Sequence, residues 1–224
     1  MNNAEFGIRN AELLLDPDNS AFLIPHSALK IAITGNIGSG KSYVCGLFKA
    51  LGVPVFDSDY ECKLLYGRPE VRQKMVERFG QGIYHDDGSL DRGLMASKVF
   101  GDACSLGYVE SVLYPALNAW FDEWAEQQDA PYVLYESALI FEKHLESMFD
   151  AVIVVAASEP VRIRRVMTRD HCTEEQVFAR MAMQMPQPEK LAKADHVIVH
   201  DDDDEDEFLM DQVKRIHLAL IASC

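Results

Sequence analysis

The sequence predicts a three-layer α/β/α fold with a parallel five-stranded sheet, a helical insertion and a lid. Three observations carry the prediction. First, the β-branched run Lys30-Ile31-Ala32-Ile33-Thr34 leads directly into Gly35-Asn36-Ile37-Gly38-Ser39-Gly40-Lys41-Ser42, which fits the phosphate-loop (P-loop) pattern G-x-x-x-x-G-K-[ST]. Second, Val152 to Ala157 is hydrophobic on both faces, as a buried parallel strand requires. Third, about seventy residues of helical pattern follow the second strand, too many for a single crossover.

The phosphate loop has the flanks its chemistry needs. Val44, Leu47, Phe48 and Leu51 recur at helical spacing after it, so the order is strand, loop, helix. Glycines let the backbone turn tightly and bring successive N–H groups toward phosphate oxygens. The positive end of the following helix faces the same anion. Lys41 suits the β/γ-phosphates, and the Ser42 hydroxyl suits magnesium.

Totals bound the rest. The 224 residues are 48% hydrophobic and 25% charged, ordinary for a soluble globular chain. The net charge is −15, and Asp201 to Glu207 supply seven of the negatives. The remainder is still acidic, which argues against nucleic acid or an anionic membrane as partner. No apolar run approaches the ~20 residues that span a bilayer. The beginning of the chain lacks the pattern of a secretory signal. Five scattered cysteines without a C-x-x-C pair suit reduced thiols in a cytoplasmic protein. No obligate protein partner is evident.

In chain order, residues 1–29 read as a loosely packed N-terminal extension, in which Leu13–Leu15 and Phe22–Ile24 are able to reach the core. Residues 30–224 form the P-loop domain: a core over 30–59, 130–164 and 191–224, the insertion over about 60–129, and the lid over about 165–190. Val53 to Phe56 is the second strand. It ends in Asp57-Ser58-Asp59, at the carboxyl edge where open α/β sheets bind ligands. One carboxylate suits the nucleotide metal and the other an acceptor hydroxyl. Either can also N-cap the helix beginning near Tyr60, and Asp59 is the candidate base. Helical spacing continues near Pro69–Phe79, Asp91–Phe100 and Asp102–Gln128, with Trp120 and Trp124 as packing residues.

Tyr132 to Tyr135 is the third strand. It closes on Glu136, which either orients magnesium or is an exposed charge at a strand end. After the fourth strand comes a basic cluster, in which Arg162, Arg165 and Arg169 share a helix face at i, i+3 and i+7, with Arg180 beyond. These either pair with Glu174 and Glu175 as a solvated face or fork onto phosphates and exclude water. Asp195 to Val199 is the last strand, with His196 and His200 read as structural or surface histidines. A solvated acidic turn and a closing helix, Phe208 to Ile221, complete the chain.

Taken in order, these residues resemble the dephospho-CoA kinases. The resemblance covers nearly everything from Lys30 onward. It rests on Ile33 to Ser42, Asp57-Ser58-Asp59, Leu90-Asp91-Arg92 with Val99-Phe100, and Tyr114-Pro115. Leu139-Ile140-Phe141-Glu142, Arg165 to Asp170, and Arg180 with Gln184 complete it. It implies transfer of the γ-phosphoryl group of ATP, with magnesium, to the ribose 3′-hydroxyl of dephospho-CoA, the last step of CoA synthesis. Asn36, Ile37, Gly38, Ser39, Gly40, Lys41, Ser42, Tyr43 and Arg180 are then expected on the nucleotide. Asp57, Asp59, Lys63, Arg92, Tyr114, Leu139, Phe141 and Glu142 are expected on the acceptor, and Ser42, Asp57 and Glu136 at the metal. Asp59, Lys41, Arg165 and Arg169 are the expected catalytic set. The chain departs from the family pattern at Asn36, Tyr43, Lys63, Tyr114, Ala138 and Val199-His200-Asp201. Two other readings stay open: a kinase for another hydroxylated metabolite, nucleoside- or shikimate-like, and a non-catalytic nucleotide-binding regulator.

Overall fold

The computed structural model describes residues 28–201 and 206–224. The expectations for residues 1–27, including Leu13–Leu15 and Phe22–Ile24, and for Asp202–Glu205 of the acidic turn lie outside the described residues.

Five parallel strands form one sheet in the order β2-β3-β1-β4-β5. They are β1 (Leu29–Thr34), β2 (Val55–Asp57), β3 (Tyr132–Glu136), β4 (Ala151–Ala156) and β5 (His196–Val199). The phosphate-loop strand β1 is central, paired with β3 through Ile31↔Leu134 and with β4 through Ile33↔Ile153. Period-two alternation divides the side chains between two cores. Ile31, Ile33, Leu134, Ile153 and Val155 pack toward α1 (Lys41–Ala50) and α9 (Asp206–Ile221), on Val44, Phe48, Leu209 and Val213. Ala32, Val133, Tyr135, Val152 and Val154 face the opposite core.

That second core is the larger because four helices lie between β2 and β3: α2 (Ser58–Leu65), α3 (Pro69–Phe79), α4 (Arg92–Val99) and α5 (Ala103–Glu126). Asp91 caps α4 by accepting from Leu94 N, and Asp102 caps α5 by accepting from Cys104 N. Phe56, Phe121, Trp124 and Tyr135 make an aromatic nest, with Phe121 edge-on to Tyr135 at 4.8 Å between centroids. Trp120 donates to Glu61 Oε2 at 2.8 Å, so both tryptophans serve packing.

After β4 run α6 (Glu159–Asp170), α7 (Glu174–Met181) and α8 (Gln187–Ala192). Thr173 and Gln176 close a reciprocal capping box on α7. No helix among the described residues is long and apolar enough to cross a membrane.

Candidate active site

The loop between β1 and α1 is shaped by two glycines in left-handed backbone, Gly38 at φ 81° and Gly40 at φ 84°. A Cβ at Gly38 would lie 2.5 Å from the carbonyl oxygen of Arg162, and one at Gly40 would strike the His200 ring. Neighbours therefore close on the loop from behind. In front, a cavity of about 510 Å³ is lined by every residue from Gly35 to Tyr43, together with Asp57, Asp59, Lys63, Glu136, Ala138, Arg169 and Gln184. Gly40, the N-cap of α1, has no side chain to satisfy the helix's first N–H groups. Those donors and the helix dipole bias the cavity toward anions.

Glu136 organises the cavity floor. Its Oε1 accepts from Lys41 Nζ at 2.7 Å and from the Ser42 hydroxyl at 2.7 Å. Burial is the largest single influence on this carboxyl and opposes ionisation. The Lys41 charge and hydrogen bonds from Lys41, Ser42 and Cys45 together outweigh it and hold the carboxyl below the usual range. The same carboxylate and the burial of Cys45 push that thiol well up.

The parallel register sets Asp57 opposite Glu136. Asp57 also caps α2, its Oδ1 accepting from Tyr60 N at 3.0 Å. Asp59 stands in the first turn of α2 and lines two cavities. The second, about 130 Å³, lies between α2, α5 and the turn after β3. Tyr114, Leu113, Leu117, Leu139 and Lys143 contribute to its walls.

Other expected residues stand away from the two cavities. Phe141 is buried in the core at 1% exposure, where a large apolar ring gains most, and does not face the second cavity. Glu142 is turned to the other side of that segment, accepting from Met185 N at 2.9 Å and Lys190 Nζ at 2.8 Å. Arg92 is exposed at the start of α4 and lines neither cavity. Arg165 donates to the His200 carbonyl at 3.0 Å. Arg180 reaches Asp170 at 2.6 Å, the carboxylate that Arg169 also holds, so it does not line the nucleotide cavity. Arg162 is buried, donating from Nε to the Ala157 carbonyl. Of that helix face, Arg169 lines the cavity, and Arg165 Nη1 lies beside Gly40 at the back of the loop.

Four further residues stand beside the two cavities or behind them, and Lys143 and Lys190 were not singled out from the sequence. Gln184 Oε1 accepts from Ile37 N at 2.8 Å, inside the loop itself. Lys190 is fully buried and donates to the Ala138 carbonyl at 2.8 Å. Burial pulls its ammonium pKa down, and Glu142 opposes that pull. His200 lies against Gly40 and stacks on Tyr43, with centroids 5.4 Å apart. Lys143 lines the second cavity. Of these, Gln184 left a signal through its place in the family pattern, and His200 through the departure at Val199-His200-Asp201.

Among the described residues, no group of three or more His, Cys, Asp or Glu side chains is set to hold a metal ion. Magnesium beside a nucleotide needs less, one or two carboxylates with phosphate oxygens and water. Ser42, Glu136 and Asp57 at the edge of the first cavity are hard oxygen donors of that kind.

The family model for dephospho-CoA kinases matches residues 29–206. A dephospho-CoA kinase of Salinibacter ruber is 37% identical over 175 residues, spanning 76% of this chain and 88% of that protein. One of Sodalis glossinidius is 34% identical, spanning 86% of this chain and 94% of its own length. The crystal structure of TT1252 from Thermus thermophilus superposes with a TM-score of 0.77 at 33% identity, covering 87% of this chain and 98% of that one. Dephospho-CoA kinase from Campylobacter jejuni, at 20% identity and a TM-score of 0.66, shares the fold. A phosphate loop at the tip of a central strand, a carboxylate common to two cavities and a matching family model over most of the chain lead to one conclusion: the chain belongs to the dephospho-CoA kinase family.

Proposed function

We propose that this chain transfers the γ-phosphoryl group of ATP to the ribose 3′-hydroxyl of dephospho-CoA, giving CoA. The observation that carries the reading is that Asp59 borders both the phosphate-loop cavity and the second cavity beside it. In this reading α2 to α5 form the acceptor side, and residues from about 165 to 190 close over the donor.

The triphosphate lies along Gly35 to Tyr43, its oxygens taking the loop N–H groups and the Lys41 ammonium. Lys41 exchanges its bond to Glu136 for the phosphate oxygens. Ser42, Glu136 and Asp57 would hold magnesium, directly or through its waters, and when bound it neutralises charge on the β- and γ-phosphates. Asp59 accepts the proton of the 3′-hydroxyl as that oxygen bonds to the γ-phosphorus. The bond from γ-phosphorus to the bridging oxygen breaks, and ADP leaves. Arg169 offsets charge on the transferring group. Much of the rate enhancement comes from positioning and charge neutralisation. Five free thiols, Cys45, Cys62, Cys104, Cys172 and Cys224, suit a cytoplasmic setting.

A coupled assay of ADP release with ATP, magnesium and dephospho-CoA tests the reading, with nucleosides and shikimate as competing acceptors. Dephospho-CoA is expected to give the highest kcat/KM. ATP binding without acceptor-dependent ADP release would overturn the reading in favour of a non-catalytic regulator.

A further inference from the structure

Among the described residues that line the second cavity, Lys143 is the one with a permanently cationic side chain. It stands in the turn after β3, where its N–H donates to the Leu139 carbonyl at 3.0 Å. Its Nζ crosses to α5, donating to Glu110 Oε1 at 2.6 Å and lying 5.6 Å from the centroid of Tyr114. The Lys143 and Glu110 side chains are 29% and 33% exposed, which sets the pair in the cavity wall and not on open surface. An ammonium has three donors, and Glu110 takes one.

The proposed acceptor brings an anion here. Its ribose carries the 3′-hydroxyl and, on the 5′ carbon, a pyrophosphate. Asp59, which would take the hydroxyl, and Lys143 line the same cavity. Lys63 and Arg169 line the other cavity, on the donor side. Arg92 lines neither.

We propose that Lys143 positions the acceptor by transferring its ammonium from Glu110 to the pyrophosphate, with Glu110 parking the charge while the cavity is empty. This rests on the function proposed above and deepens it. Nothing in this role touches the reacting atoms, so Lys143 is a positioning residue. Glu110 is then a competitor of the substrate, and the two partners of one ion pair have opposite effects on binding.

The experiment is steady-state kinetics of the full chain with ATP and dephospho-CoA for the wild type, Lys143→Met, Lys143→Arg and Glu110→Gln. Lys143→Met is expected to raise KM for dephospho-CoA about 10- to 100-fold, the effect of one lost charge-assisted hydrogen bond, while kcat and KM for ATP stay close to wild type. Lys143→Arg is expected to recover most of the loss, and Glu110→Gln to lower the KM for dephospho-CoA. If Glu110→Gln raises that KM as Lys143→Met does, the pair is a structural brace and the inference is overturned. An unchanged KM in Lys143→Met overturns it as well. A wild type without dephospho-CoA-dependent turnover overturns the functional reading itself, which separates the two failures.

Discussion

The two walls of this site are built by different means. The first cavity is built around backbone: nine consecutive residues, Gly35 to Tyr43, line it, shaped by left-handed turns at Gly38 and Gly40. The second cavity is walled by side chains collected from α2, α5 and the turn after β3. A cradle made of peptide groups tolerates few substitutions in the loop, since its geometry requires glycine at particular points. A cavity walled by side chains can be retuned one residue at a time, as at Tyr114, whereas the departures at Asn36 and Tyr43 leave the loop's glycines in place. Under the proposed function, the loop's glycines are the fixed part of the donor side, and the acceptor side is the adjustable half.

The comparison can be broken most severely at Asp59, where the halves meet. Asp59→Asn is expected to lower kcat by ~10²–10⁴, with ATP affinity measured by calorimetry little changed; an undiminished kcat removes this carboxylate from the chemistry. Next comes the buried pair behind both walls. Lys190→Met leaves Glu142 without its cation and is expected to cost about 3–5 kcal/mol in chemical denaturation. Gly40→Ala tests the fixed half by itself. It forces a side chain into left-handed backbone and against His200, a strain of about 1–3 kcal/mol. ATP affinity should fall by about five- to a hundredfold, while KM for dephospho-CoA holds.

The smallest effect expected is at Asp170, at the end of α6. Hydrogen bonding from Arg169 and then from Arg180 pulls its pKa to about 2 from the usual 3.8. A folded-state pKa below the unfolded value stabilises the protein above 3.8, and that contribution fades as pH falls toward 2. Asp170→Asn should therefore melt slightly below wild type near neutrality, with the gap closing through this acid window. A gap that is constant with pH would show that the ion pairs are not its source.

The same asymmetry decides what the sequence reveals. The loop, the helical segments near Asp91–Phe100 and Asp102–Gln128, and the five strands are local patterns, and the structure has them close to where periodicity and spacing predict them, with β2 at Val55–Asp57 beginning two residues late. Asp57 and Asp59 were legible because they follow a strand directly. Lys143 was not, nor was the packing of His200. His200 meets Gly40 only because β5 lies parallel to β4 and its continuation passes over α1, a pairing 160 residues apart in the chain that no local pattern encodes. The arginine face misled for a related reason. Spacing aligns Arg162, Arg165 and Arg169, yet burial takes the first and a backbone carbonyl the second. Phe141 and Glu142 adjoin a cavity-lining Leu139 in sequence, but the chain turns between them.

Lys190 has one further consequence. It holds the Ala138 carbonyl and Glu142, Glu142 holds the Met185 N–H, and the Met185 carbonyl receives the Asn36 amide at 2.8 Å. A continuous polar thread thus ties the lip of the phosphate loop to the turn after β3 that lines the second cavity. Disturbing one substrate's berth should be felt at the other's, so that the two ligands report on each other through a lysine that contacts neither.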